Sequence, residues 1–85
     1  MLSEWRRLHY PGLVAETSPI PGISTWTACA YRQARKAGCV RVPVKFTHLT
    51  VAQAAADDLV RTTFGHVCVL ECGQWTRRTT ATRKP

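Results

Sequence analysis

The sequence predicts an α+β fold: a small antiparallel sheet, made of a hairpin plus one or two further strands, with one helix over about residues 51–64 packed on one face. Three observations predict it. Val40, Val42, Val44 and Phe46 alternate with Arg41, Pro43 and Lys45, which is the period of a strand with one buried face. Ala52, Ala55, Ala56, Leu59 and Val60 recur at three- and four-residue steps, which is the apolar stripe of a helix. Pro- and Gly-containing stretches punctuate the chain between these segments. With 85 residues, 45% of them hydrophobic and 20% charged, the chain has the composition of a globular protein and the length of a single domain over 1–85.

At the N-terminus, Leu2, Trp5 and Leu8 stand three apart behind Ser3, which suits one or two helical turns or an irregular arm. Pro11-Gly12 ends that segment, and Ser18-Pro19-Ile20-Pro21-Gly22 suits neither a helix nor a central strand. Residues 1–22 therefore read as an N-terminal arm and loop, with the loop over 10–22. Ile23 to Arg32 is rich in β-branched and aromatic residues and reads as a strand. The stretch from Ser24 to Ala37, closed by Gly38, also has the residues and the C-terminal glycine of a helix, and pattern alone leaves both options open. A hairpin turning near Gln33 to Gly38 fits better with the alternating partner segment 40–46. Pro43 cannot donate to a ladder and marks that partner as an edge strand.

Thr50 and Gln53 have the spacing of a capping box, so a helix is expected to begin at Val51 and to stop at Phe64-Gly65. Its small Ala residues would let it lie close on the sheet. His66 to Cys72 reads as a central strand, which Cys72-Gly73-Gln74 turns into a last strand through Trp75 and Arg77. Residues 79–85 read as a loose basic tail.

Twelve Lys and Arg against five Asp and Glu give a net charge of +7. Such a balance favours polyanionic neighbours through counterion release. Arg32, Arg35, Lys36, Arg41 and Lys45 fall in a stretch without an acid. Asp57, four residues before Arg61, is expected to form a helical ion pair and to be structural or merely solvated. An aromatic next to arginines can stack on a base or anchor an interface, which singles out Tyr31 with Arg32, Arg35 and Lys36, and Trp75 with Arg77 and Arg78. The expected partner- or nucleic-acid-binding set is thus Arg32, Arg35, Lys36, Arg41, Lys45, Trp75, Arg77 and Arg78. Each Trp taken alone is better placed in the core.

No signal-peptide pattern or apolar span of about 20 residues is visible, so a cytoplasmic protein with reduced cysteines is expected and no membrane partner. Cys29, Cys39, Cys68 and Cys72, with His9, His48 and His66, could supply a zinc site, but the spacing opposes it. Cys68 and Cys72 are four apart, about 13 Å along a strand. They read instead as small buried hydrophobes, with Cys29 and Cys39 adjacent across the hairpin. No local signature of a nucleophile and base, no phosphate-cradling Gly loop and no zinc-finger, zipper or helix-turn-helix pattern is present. The expectation is a non-enzymatic protein without a cofactor or metal.

Arg41-Val42-Pro43-Val44-Lys45-Phe46-Thr47, then Thr50-Val51-Ala52-Gln53-Ala54-Ala55-Ala56-Asp57-Asp58-Leu59, then Gly65-His66-Val67-Cys68-Val69-Leu70 resembles the layout of short accessory proteins of phages and mobile elements, small anti-CRISPR proteins among them. The resemblance covers about residues 39–72. It implies a protein that inhibits or regulates host nucleic-acid machinery by covering a surface in the host cytoplasm. Many such inhibitors are acidic DNA mimics, whereas this chain is basic, so its partner would be an acidic face of a host nucleoprotein or the nucleic acid bound there. The alternatives are a direct nucleic-acid-binding module and a small zinc protein.

Overall fold

The computed structural model describes residues 3–78; Leu2 and the tail expected over 79–85 lie outside them. Five antiparallel strands form one sheet: β1 (Glu4–His9), β2 (Leu13–Pro19), β3 (Trp26–Arg32), β4 (Arg35–Val42) and β5 (Thr76–Arg78). The spatial order β4-β3-β2-β1-β5 is a four-strand meander, after which the single helix α1 (Leu49–Phe64) crosses one face and β5 closes on β1. The expected α+β class and the helix on one face are both present. Among the described residues no helix is long and apolar enough to cross a membrane.

Register settles which side chains meet. Trp5, Thr17, Ala28 and Val40 lie in one row across the sheet, and Arg7, Ala15, Ala30 and Gly38 in the next row on that same face. Against it α1 buries Ala52, Ala56 and Val60, whose small side chains let the helix approach Ala15, Ala28 and Ala30 closely. Trp26, only 2% exposed, fills the remaining volume and meets Phe46 edge-on at 5.8 Å between ring centroids. Among the described residues the opposite face has no helix over it, and it carries Arg6, Glu16, Cys29 and Cys39 in one row and Leu8, Val14, Tyr31 and Lys36 in another.

Several expected elements differ. Residues 4–9 are a strand rather than helical turns or an arm, and β2 occupies most of the expected loop over 10–22. In β2 the buried positions Ala15 and Thr17, which follow Leu13 on the inward face, are small or polar, so they conceal the alternation. Pro11-Gly12 makes the β1–β2 turn, with Gly12 at φ 71°, and Pro19 stands last in its strand where a missing donor costs least. The hairpin reading of 24–37 holds, but its turn is the tight pair Gln33-Ala34, both at positive φ, and Gly38 lies inside β4. β4 ends at Val42, before Pro43, and it is an edge strand as that proline implies. Val44 and Phe46 still pack on the core from the connection to α1.

The capping box does not form. The helix starts two residues early, at Leu49, with His48 as its N-cap and no side-chain cap bond. Its stop is as expected: Gly65 adopts the left-handed conformation at φ 63°. The central strand expected over 66–72 is absent, and these residues form an irregular loop instead. The strand expected through Trp75 and Arg77 is β5. Cys29 and Cys39 are neighbours across the hairpin as expected, but they are joined as a disulfide rather than free. Their Cα atoms are 4.1 Å apart, the close spacing of a pair without ladder bonds between them, which brings two thiols within bonding reach.

Candidate metal centre

Three parts of the chain converge at the end of β1. His9 is the last residue of β1 and is directed to the helix side, where it is 2% exposed. His66 follows the helix stop: the left-handed Gly65 reverses the chain, and the His66 backbone N–H returns to the Arg61 carbonyl at 3.1 Å. Cys68 and Cys72 come from the loop, which folds on itself where the Cys72 N–H reaches the Val69 carbonyl at 3.0 Å. The loop is then fastened to β1 by the Gly73 N–H on the Leu8 carbonyl, 2.8 Å, and by the Arg7 Nε on the Gly73 carbonyl, 2.8 Å.

One ligating atom from each of His9, His66, Cys68 and Cys72 lies within 4.8 Å of all the others. Cys68 Sγ is 3.6 Å from His9 Nδ1, and Cys72 Sγ is 3.5 Å from His66 Nε2. Zinc bonds of about 2.3 Å to sulfur and 2.0–2.1 Å to nitrogen in a tetrahedron separate S from N by about 3.6 Å. Both observed pairs have that separation. The two imidazoles meet edge-on at 4.9 Å between centroids, so neither ring blocks the other's nitrogen.

Behind His9 stands Asp57. The ring's other nitrogen, Nε2, donates to Asp57 Oδ1 at 2.9 Å, since a carboxylate only accepts, which leaves the Nδ1 lone pair directed at the cluster. Asp57 is itself held by Arg7 Nη1 at 2.9 Å and by the Trp75 indole N–H at 3.3 Å. A carboxylate that orients a histidine and raises its basicity is the usual support of a metal ligand. The expected Asp57–Arg61 pair is not formed, because Asp57 faces β1 and Arg61 pairs with Asp58 instead.

The protonation preferences are mixed. Burial, then the neighbouring His9 and Arg7, hold His66 below the usual imidazole value and favour its neutral, ligating form. Burial pushes the Cys68 thiol up. Cys72 is also pushed up by burial, but backbone hydrogen bonds from Val69 and Tyr10, with Arg7 nearby, outweigh this and lower it. Cys68, His9 and Asp57 also stand in the order of a thiol–imidazole–carboxylate relay. A nucleophile needs its thiolate favoured, however, and Cys68 is shifted the other way. The second His–Cys pair, at ligand distance, has no part in such a relay.

The separation of about 13 Å that opposed a metal on sequence grounds is removed by the turn in the loop. His66-x-Cys68-x3-Cys72, bracketed by Gly65 and Gly73, is a legible clue to a compact ligand segment once a strand is not assumed. His9, distant in the chain, carries no local signal.

The expected binding residues do not form one site. Arg77 and Arg78 lie on β5 and Arg35, Lys36 and Arg41 on β4, opposite edges about 19 Å apart across four strand spacings. Trp75 packs on the core and is tied to Asp57. Arg78 pairs with Glu16 at 3.1 Å and with Glu4 at 3.6 Å. Arg32 lies over the Phe64 ring at 5.2 Å, while Arg35, Lys36, Arg41 and Lys45 are exposed. No protein-family model, curated protein or solved structure matches the chain.

Proposed function

We propose that the chain is a zinc-binding protein in which His9, His66, Cys68 and Cys72 hold one structural ion. The observation that carries this is the approach of two imidazole nitrogens and two thiols to within 4.8 Å, with His9 oriented by Asp57. Two thiolates and two imidazoles in a tetrahedral set suit zinc among the common divalent metals. Four protein donors complete the coordination shell, so the ion ties segments together and has no open position for a substrate.

What it ties is a loop with little else to hold it. Val67, Val69 and Leu70 are exposed, so the loop gains little from apolar burial before Trp75 returns to the core. Coordination supplies what the core does not, as in other small domains whose cores are insufficient alone.

The test is metal content. Protein prepared under conditions that keep Cys68 and Cys72 reduced, then dialysed against a weak chelator, is expected to retain one zinc per chain. Replacement by cobalt(II) should give the visible absorption of a tetrahedral thiolate site. Substoichiometric metal, or equal retention by a Cys68→Ser/Cys72→Ser variant, would overturn the reading.

A further inference from the structure

The charge of this protein is divided between two halves of the sheet. Between Glu16 and Asp57 there is no acidic residue, and this stretch builds β3, β4, the connection to α1 and the first half of the helix. Four of the five acids meet bases: Glu4 and Glu16 with Arg78, Glu16 also with Arg6, Asp57 with Arg7, and Asp58 with Arg61. Arg35, Lys36, Arg41 and Lys45 appear in none of the ion pairs among the described residues, and all four are exposed. Of the six Lys and Arg among the described residues that join no ion pair, these four therefore lie along β4 and just beyond it, the other two being Arg32 and Arg77.

Among the described residues β4 is also an edge of the sheet with no further strand beside it. From Arg35 to Arg41 it extends about 20 Å at the usual rise per residue. Cys39 lies in a close pair with Cys29, so the backbone N–H groups of Cys39 and of Arg41, two positions on, point away from the sheet. Bases and outward N–H donors thus share one edge, Lys36 and Arg41 from its uncovered side and Arg35 from the helix side. On the uncovered face beside it, Tyr31 is paired with Lys36, and a cavity of about 290 Å³ is lined by Tyr31, Val14 and Ala34 and by Glu16 with its partners Arg6 and Arg78.

We propose that this edge binds single-stranded nucleic acid, with Arg35, Lys36, Arg41 and Lys45 on successive phosphates and Tyr31 at the adjoining base-sized hollow. A protein partner would require an apolar anchor at the centre of its contact, and β4 offers between its bases only Ala37, Gly38, the disulfide-bonded Cys39 and Val40. Interfaces with nucleic acid are the ones dominated by positive charge. A duplex reader would need a basic helix or a free two-stranded ribbon for the groove, whereas the only base on α1 is Arg61, paired with Asp58, and β3 and β4 belong to the five-stranded sheet. The proposal is independent of the metal reading.

The test uses the full chain as purified, with a fluorescent oligothymidylate and anisotropy measured over a salt series. Four phosphate contacts predict a log–log slope of about −3 for a single strand. An Arg35→Gln/Lys36→Gln/Arg41→Gln/Lys45→Gln variant is expected to lose at least about tenfold in affinity, with a slope approaching zero. Arg61→Gln is expected to bind as the parent does. Zinc content and circular dichroism of the variants separate a lost surface from a lost fold, and single Arg35→Gln and Arg41→Gln variants with unchanged spectra should each weaken binding if the fourfold variant does not fold. Unchanged binding by these variants, tighter binding of a duplex, or equal competition by polyglutamate would overturn the proposal. No binding at low salt would also overturn it, and would leave these charges the role of keeping an edge strand from pairing with other chains.

Discussion

The β3–β4 hairpin and the 65–75 loop are held by opposite means. The hairpin rests on apolar contact: Trp26, Ala28 and Ala30 lie under the helix, and the Cys29–Cys39 bond cross-links its uncovered side. The loop exposes Val67, Val69 and Leu70 and, before Trp75 returns to the core, is fixed by polar groups: the Gly73 N–H on the Leu8 carbonyl, the Arg7 side chain on the Gly73 carbonyl, and a cluster of two histidines and two cysteines backed by Asp57. A chain this short has one layer of core to distribute, and the helix gives it to β2, β3 and β4. Whatever folds onto the far side of β1 needs another source of free energy, and coordination fits that need.

Removing the metal should therefore separate the two regions. Hydrogen exchange after chelation is expected to lose protection over 65–75 and β5 while the amides of β3 remain slow; uniform loss across the chain would show that the regions are not distinct. Trp26→Ala should do the reverse and weaken both at once, because the core under the hairpin is the only one among the described residues. A loss of about 3–5 kcal/mol in denaturant unfolding is expected.

A smaller effect is expected from Asp57→Asn, which keeps the size of the side chain but weakens the support of His9. Metal affinity should fall about 10- to 100-fold, measured by competition with a chelator, with the hairpin unaffected. An unchanged affinity would mean that Asp57 serves only Arg7 and Trp75.

The smallest expected effect concerns Tyr31 on the uncovered face. Burial, followed by the charge and hydrogen bond of Glu16, raises its pKa. Its folded value then exceeds the unfolded value of about 10, so its contribution is present below that pH and is lost as the pH rises through the folded value. Spectroscopic titration should show one phenol ionising late, and Glu16→Gln should bring it partly back. Ionisation of both tyrosines together would contradict this.

What was legible in the sequence follows from the same contrast. Several apolar side chains at a fixed period announce elements, so β4 and α1 could be read from Val40 and Val42 and from Ala52, Ala56 and Val60. β2 could not, because its inward positions Ala15 and Thr17 look like loop residues until β1 and β3 flank them. The capping box at Thr50 and Gln53 had the right spacing, yet the chain entered the helix earlier, at Leu49, where a partly buried side chain packs on the core. The ligand cluster depends on contact between His9 and a loop 57 or more residues later, and no local pattern encodes such a contact. Three of its members were nevertheless grouped in seven residues, a hint obscured by the apparent strand alternation of Val67, Val69 and their neighbours.

The most direct test of the central claim is X-ray absorption at the zinc edge of the purified protein. The expected result is a first shell of two sulfurs at about 2.3 Å and two nitrogens at about 2.0–2.1 Å. A shell of oxygen and nitrogen alone, or of four sulfurs drawn from two chains, would contradict the site formed by His9, His66, Cys68 and Cys72.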